Sequence, residues 1–256
     1  MPLKPCRNTV LSKACGWRSA GCCAAVPEVA ADMILFHRDM PVSDIHTHIL
    51  PDNTGNAVVS IDCNDGNMDG FEPRLSELYS AGLHPWTLAD DNEKAFMRLR
   101  HMLSLPQVVA VGECGLDSLR GPSMDIQIRE FRRQALMAKE FSKPMILHAV
   151  KSFDTLIRLK KELAPRERWL VHGFRGGVSQ MLQLVDLGFD MSFGIKANHD
   201  ALARIPSDSL FLETDGKCSI TQVQQLAMDV RSCSRQEIER ITCNNVQVFL
   251  GQSWHV

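Results

Sequence analysis

The chain has 256 residues, of which 45% are hydrophobic and 23% charged, and it is long enough to bury a full core. That balance excludes wholesale disorder, collagen-like sequence and a long coiled coil. No apolar run approaches the roughly 18 residues a spanning helix needs, so no membrane association is expected. A net charge of -2 excludes a broadly basic, nonspecific nucleic-acid binder and leaves room for a local basic cleft.

Residues 1–40 differ from the rest. Lys4, Arg7, Lys13 and Arg18 precede any acid, and a small-residue run from Ala20 to Val26 is stopped by Pro27. The apolar stretch is at the bottom of the signal-peptide range and lies after Arg18, so these residues are expected to form a poorly ordered extension. Residues 41–256 are expected to form one domain. The chain has 9 cysteines, an odd number, with Cys6, Cys15, Cys22 and Cys23 in the extension and Cys63, Cys114, Cys218, Cys233 and Cys243 scattered. No C-x-x-C pair occurs. The set predicts reduced thiols in a cytoplasmic protein rather than a disulfide framework or a zinc finger.

From Pro41 onward, short apolar runs alternate with helical patterns. Strands are predicted over 42–46, 57–61, 78–83, 108–112, 144–148, 169–172, 189–193 and 209–213. Helices are predicted over 90–103, with Phe96, Leu99 and Leu103 on one stripe, and over 125–141, 153–163, 178–187, 220–230 and 235–250. Ser123 and Ser234 are the expected N-caps. Eight strands alternating with helices predict an α/β fold, a parallel sheet closed into a (β/α)8 barrel of the TIM type. The first connection, near residues 51–56, is too short for a helix, so the barrel is expected to be distorted there.

Candidate chemistry falls where the predicted strands end. The first strand closes on Asp44-Ile45-His46-Thr47-His48, and residues two apart on a strand share a face, so His46 and His48 can grip one metal ion. Imidazoles suit zinc, manganese, iron or nickel. The fourth strand runs into Glu113-Cys114-Gly115-Leu116-Asp117, and a carboxylate there can bridge two ions. His148 and His172 each follow an apolar strand at the same relative depth. Leu210-Phe211-Leu212 leads into Glu213-Thr214-Asp215, where Asp215 can complete a ligand set and act as a base. Four histidines and two carboxylates at the C-terminal ends of five strands could hold two ions about 3.5–4 Å apart, the spacing of two-metal hydrolases.

These stretches, with Gly82-Leu83-His84-Pro85-Trp86, Val171-His172-Gly173-Phe174-Arg175-Gly176 and Thr242-Cys243-Asn244-Asn245, occur in the order and span of the TatD family, which the chain resembles. The resemblance implies an amidohydrolase-like barrel, a divalent-metal site and phosphodiester hydrolysis, with DNA as the substrate of members. By that pattern His46, His48 and Asp215 would hold one ion and His148 and His172 another, with Glu113 between them. The chain departs from the pattern at Val150, where arginine is frequent, at Gly173, where cysteine is frequent, and in short stretches after His48 and Asp215.

The expected reaction is attack of a water activated by two divalent ions (magnesium, manganese or zinc) on DNA or another phosphodiester, with Asp215 accepting or relaying the proton. His84 is the candidate to hold a phosphate or protonate the leaving group. Lys151, Arg175, Lys196 and Lys217 lie just after strand ends and are expected to ring the barrel mouth and favour an anionic substrate. Asp117 is expected to orient a ligand or a loop. The alternative is an amide or lactone hydrolase using the same metal centre.

Overall fold

The computed structural model describes residues 42–50, 56–65, 68 and 71–251. Residues 1–40, read as an extension, lie outside the described residues. Eight strands form one sheet in chain order: β1 (Asp44–Thr47), β2 (Ala57–Asp62), β3 (Leu78–Gly82), β4 (Val108–Asp117), β5 (Met145–Val150), β6 (Trp169–Val171), β7 (Phe189–Phe193) and β8 (Leu210–Leu212). Every adjacent pair is parallel. The sheet curls until its edges meet. The Asp215 N–H donates to the His46 carbonyl at 3.1 Å, and the Thr214 N–H and hydroxyl donate to the Asp44 carboxylate at 3.0 and 2.7 Å. The expected barrel is present and nearly closed, with its seam stitched beside the predicted site.

The helices are α1 (Glu93–Leu103), α2 (Met124–Glu140), α3 (Phe153–Leu163), α4 (Val178–Asp186), α5 (His199–Arg204), α6 (Ile220–Arg231) and α7 (Arg235–Leu250). Among the described residues no α-helix separates β1 from β2 or β2 from β3, so the barrel's first third is the distorted part. Ser234 caps α7 by accepting from the Glu237 N–H at 3.2 Å. Ser123 stands at the N-cap of α2 and makes no side-chain cap bond. Ser219 and Gln222 form a full capping box at α6. The six-residue α5 falls below the length at which periodicity is visible, and its cap, Asn198 accepting from the Ala201 N–H at 3.0 Å, sets its start. No described helix is long and apolar enough to cross a membrane.

Strand alternation sorts the core into two clusters. Met145, Leu147, Trp169, Val171, Leu210 and Leu212 join the cluster that holds the helix stripes. Ile146, Leu170 and Phe211 join a second, with Ile45, Val58, Leu78 and Phe249. Parallel strands covered on both sides are apolar on both faces. Two residues beyond Ile146, Leu170 and Phe211 on that second face come His148, His172 and Glu213, so the period of two that builds the core also aims these side chains together.

Candidate metal centre

Glu113 is the centre of the site. β4 runs on through Asp117 rather than ending at Gly112, and its register against β5 shifts between Val111 and Cys114. Two glycines allow β4 to lie so close. A Cβ on Gly112 would sit 2.5 Å from the Ile146 carbonyl oxygen, and one on Gly115 would sit 2.0 Å from that of His148. The Glu113 carboxylate, only 5% exposed, thereby reaches five imidazoles. Its Oε2 lies 3.3 Å from Nε2 of both His46 and His48. Its Oε1 lies 2.7 Å from His148 Nδ1, 2.7 Å from His172 Nε2 and 3.1 Å from His84 Nε2.

All six predicted ligands are brought together. His46, His48 and Asp215 offer three donor atoms within 4.8 Å of one another. His148 Nδ1 and His172 Nε2 lie 3.4 Å apart, each against Glu113 Oε1. One carboxylate oxygen thus faces the first group and the other faces the second. Further groupings also meet the distance criterion: His46, Glu113 and His172, and His84, Glu113 and His148. His84 differs in one respect. Its Nδ1 accepts the Trp86 N–H at 3.1 Å, so in the neutral ring Nε2 carries the hydrogen and donates to Glu113.

Neighbouring groups orient the ligands. Asp117 Oδ2 lies 3.2 Å from His148 Nε2 and accepts the Trp86 indole N–H at 2.6 Å. Its Oδ1 accepts the N–H groups of Leu119 and Arg120 at 2.8 and 3.2 Å. Glu213 Oε1 lies 3.5 Å from His172 Nδ1, and Ser192 donates to Glu213 Oε2. This is the carboxylate-behind-histidine arrangement of metal sites, which fixes which ring nitrogen faces the ion. Sequence reasoning gave Glu213 no role, although its strand period with Phe211 points to one.

The electrostatics suit a cation. Burial alone would raise the Glu113 carboxyl, but His172, His148 and His46 outweigh it and hold it well below the ordinary range. Hydrogen bonds that the His48 ring donates to Asp215 and Glu113 push His48 up to about 9. His172, despite burial, is held well above its ordinary value by Glu113 and Glu213. Asp215 is depressed, since contacts with His48 and Lys217 outweigh burial. Burial and the proximity of His172 pull His46 down. His46 is fully buried; its Nε2 meets Glu113 Oε2 at 3.3 Å without good hydrogen-bond geometry, and its Nδ1 makes no hydrogen bond. A polar ring in that state costs free energy unless something binds it, and a divalent ion among these nitrogen and oxygen donors fits.

The site opens into a cleft of about 1190 Å³. Of the predicted basic ring, Lys151, Arg175 and Lys217 line the cleft. Lys217 is paired with the Asp215 carboxylate. Lys196 instead lines a small adjoining recess with Gly194, Arg175 and Lys217. Arg120 also lines the cleft. No motif marked it.

Residues 73–251 match the family described as TatD related DNase. The chain is 35% identical over 150 residues to an uncharacterized metal-dependent hydrolase of Escherichia coli, an overlap of 54% of this chain and 58% of that protein. It is 37% identical over 150 residues to a protein of Rahnella named 3'-5' ssDNA/RNA exonuclease TatD, covering 53% and 56% respectively. The matched region thus spans little more than half the length of these curated relatives. In three dimensions the E. coli TatD homologue YjjV superposes with a TM-score of 0.66 at 21% identity, covering 81% of this chain and 96% of that one. A dihydroorotase superposes at 0.56 and 15% identity, covering 81% and 71%. The family match, over most of the chain and across His84, Glu113, His148, His172 and Asp215, establishes that the chain belongs to the TatD-related DNase family, a family of metal-dependent hydrolases.

Proposed function

We propose that the protein hydrolyses phosphodiester bonds in DNA, using two divalent ions. The observation that carries the proposal is the Glu113 carboxylate set between two groups of imidazoles, one of them holding the fully buried His46, whose Nε2 faces carboxylates of the same centre. His46, His48 and Asp215 would hold one ion, and His148 and His172 the other, with Glu113 shared. Loaded in this way, the site supplies a water of lowered pKa and polarises a phosphoryl oxygen.

The chain's own groups divide the remaining work. Asp215, depressed and therefore ionised at neutral pH, is the proton acceptor within reach of His48 and Lys217. His84 presents an N–H toward the centre and can donate it to a phosphoryl or leaving-group oxygen. Lys151, Arg175 and Arg120 set positive charge around the cleft, where an anionic phosphodiester needs it. Lys196 is a more distant contact. The name of the Rahnella relative supports a nucleic-acid substrate. The amide or lactone reading rests on the shared fold alone.

The test is hydrolysis of single-stranded DNA, a chromogenic phosphodiester and a lactone by chelator-stripped protein reloaded with magnesium, manganese or zinc. DNA and the phosphodiester should be cleaved only after reloading. Cleavage of the lactone alone would favour the second reading. We further assign residues 41–256 to the catalytic barrel and 1–40 to a dispensable extension. A chain starting at Pro41 should keep its activity, and loss of folding would refute that boundary.

A further inference from the structure

A phosphate-centred site does not by itself hold the rest of a substrate. On one side of the cleft stands Trp86, which is 46% exposed yet held in place. Its indole N–H donates to Asp117 at 2.6 Å, and the Arg120 guanidinium lies 4.6 Å from its ring centre. Asp117 accepts from the backbone at Leu119 and Arg120 and also faces His148. One carboxylate therefore positions the indole, the loop that carries Arg120 and a ligand of the metal centre. The indole centre is 4.8 Å from the His84 ring and 5.5 Å from the His148 ring. Anything resting on the indole is thus adjacent to the reacting bond. A large ring used only as packing would be buried, because that is where its apolar area is worth most. This ring stays half open to the cleft with a cation against it.

We propose that Trp86 and Arg120 form a stacking subsite for the nucleobase next to the scissile phosphodiester. The proposal rests on the phosphodiester reading above and narrows it to unpaired strands. Every base has a π-face, so stacking on an aromatic side chain tolerates any sequence. A base inside a duplex can reach such a platform only by first unpairing and unstacking. Because the indole is already anchored through its N–H, docking freezes little additional motion. Arg120 adds charge for the flanking phosphate.

The experiment compares oligothymidylate with a base-free deoxyribose phosphate oligomer of the same length and charge. Two quantities are read: kcat/KM with manganese, and binding of phosphorothioate versions by fluorescence anisotropy. The wild-type protein should favour the base-bearing oligomer by on the order of tenfold to a hundredfold in both. Trp86→Ala should bring that ratio close to one. Trp86→Phe, which keeps a ring and lacks the N–H, should retain most of it even if turnover falls. A wild-type protein that cleaves both oligomers equally overturns the subsite. So does a Trp86→Ala variant that turns over slowly with the ratio intact, since Trp86 would then act only through Asp117 and His148. Base-dependent binding lost in Trp86→Ala, without cleavage by any loaded form, would retain the subsite and overturn the hydrolysis reading instead.

Discussion

Replacing Gly115 with alanine tests whether the close approach of β4 and β5 builds the centre. The added Cβ would lie 2.0 Å from the His148 carbonyl oxygen and 2.8 Å from that residue's carbonyl carbon and nitrogen. Real Cβ contacts essentially never fall under 3.0 Å, so the strands must part by about 1 Å at the residue that carries a ligand. Gly115 also has φ of +147°, where an L side chain is strained. Strain and overlap together are expected to destabilise the fold by about 2–5 kcal/mol. At about 2–4 °C per kcal/mol for a domain of this size, the melting midpoint should fall by about 5–20 °C. Displacing His148 by about 1 Å should lower metal-dependent turnover about 100-fold. Gly177→Ala is the control, because a Cβ there meets nothing within 4 Å and φ is -78°. Thermal unfolding by circular dichroism and a phosphodiester assay measure both effects. A Gly115→Ala protein that melts and turns over like wild type would refute the reasoning.

Three further predictions concern other parts of the molecule. Asp117→Ala removes the acceptor that orients His148, and should weaken metal binding by about 10- to 100-fold in calorimetry; unchanged affinity would mean that His148 is held by something else. His48, raised to about 9, is protonated at neutral pH and must lose that proton to bind a metal, and His172 is shifted in the same direction. Loading at pH 7 should therefore release at least one proton, read from calorimetry in buffers of different ionisation enthalpy, and affinity should weaken as pH falls; loading without proton release would contradict this. Burial pulls Lys143 down from 10.5 to about 8 although the Val108 and Leu105 carbonyls accept from it. The unfolded chain then binds more protons between those values, so this lysine makes stability rise with pH from about 8 to about 10.5, by on the order of 3 kcal/mol. Subtracting the stability profile of Lys143→Met from that of wild type should isolate that slope, and a flat difference would contradict it.

How far the fold was legible follows from what each segment had to satisfy. The strand cores at 145–147, 169–171 and 210–212 were visible because buried parallel strands need apolar residues on both faces. The true extent of β4 was not. Glu113 and Asp117 look like loop residues in sequence, and they belong to a strand because the backbone from Cys114 to Asp117 pairs with β5, an approach that Gly112 and Gly115 allow. Helix α1 begins at Glu93 rather than at residue 90 because Asn92 turns its side chain back to Ala89 and across to Glu130. The candidate ligands were legible because each ends an apolar strand at the same depth. The groups behind them were less so. Glu213 is two residues from Asp215 and is masked by it, and the contact between Arg120 and Trp86 joins loops 34 positions apart in the sequence. Lys196 shows the limit of reasoning from strand ends: it does follow β7, but it lines a small adjoining recess and not the main cleft.

The central claim is a metal-loaded Glu113 centre that cleaves phosphodiesters. It is tested most directly by one assay: single-stranded DNA digestion by chelator-stripped and reloaded protein, with His148→Ala run beside it. The account predicts no digestion by stripped protein, digestion after reloading with at least one of magnesium, manganese or zinc, and at least a 100-fold lower rate for His148→Ala, the order expected when a metal ligand or its alignment is lost. Digestion that survives both the chelator and His148→Ala would contradict it, as would the absence of digestion with every ion.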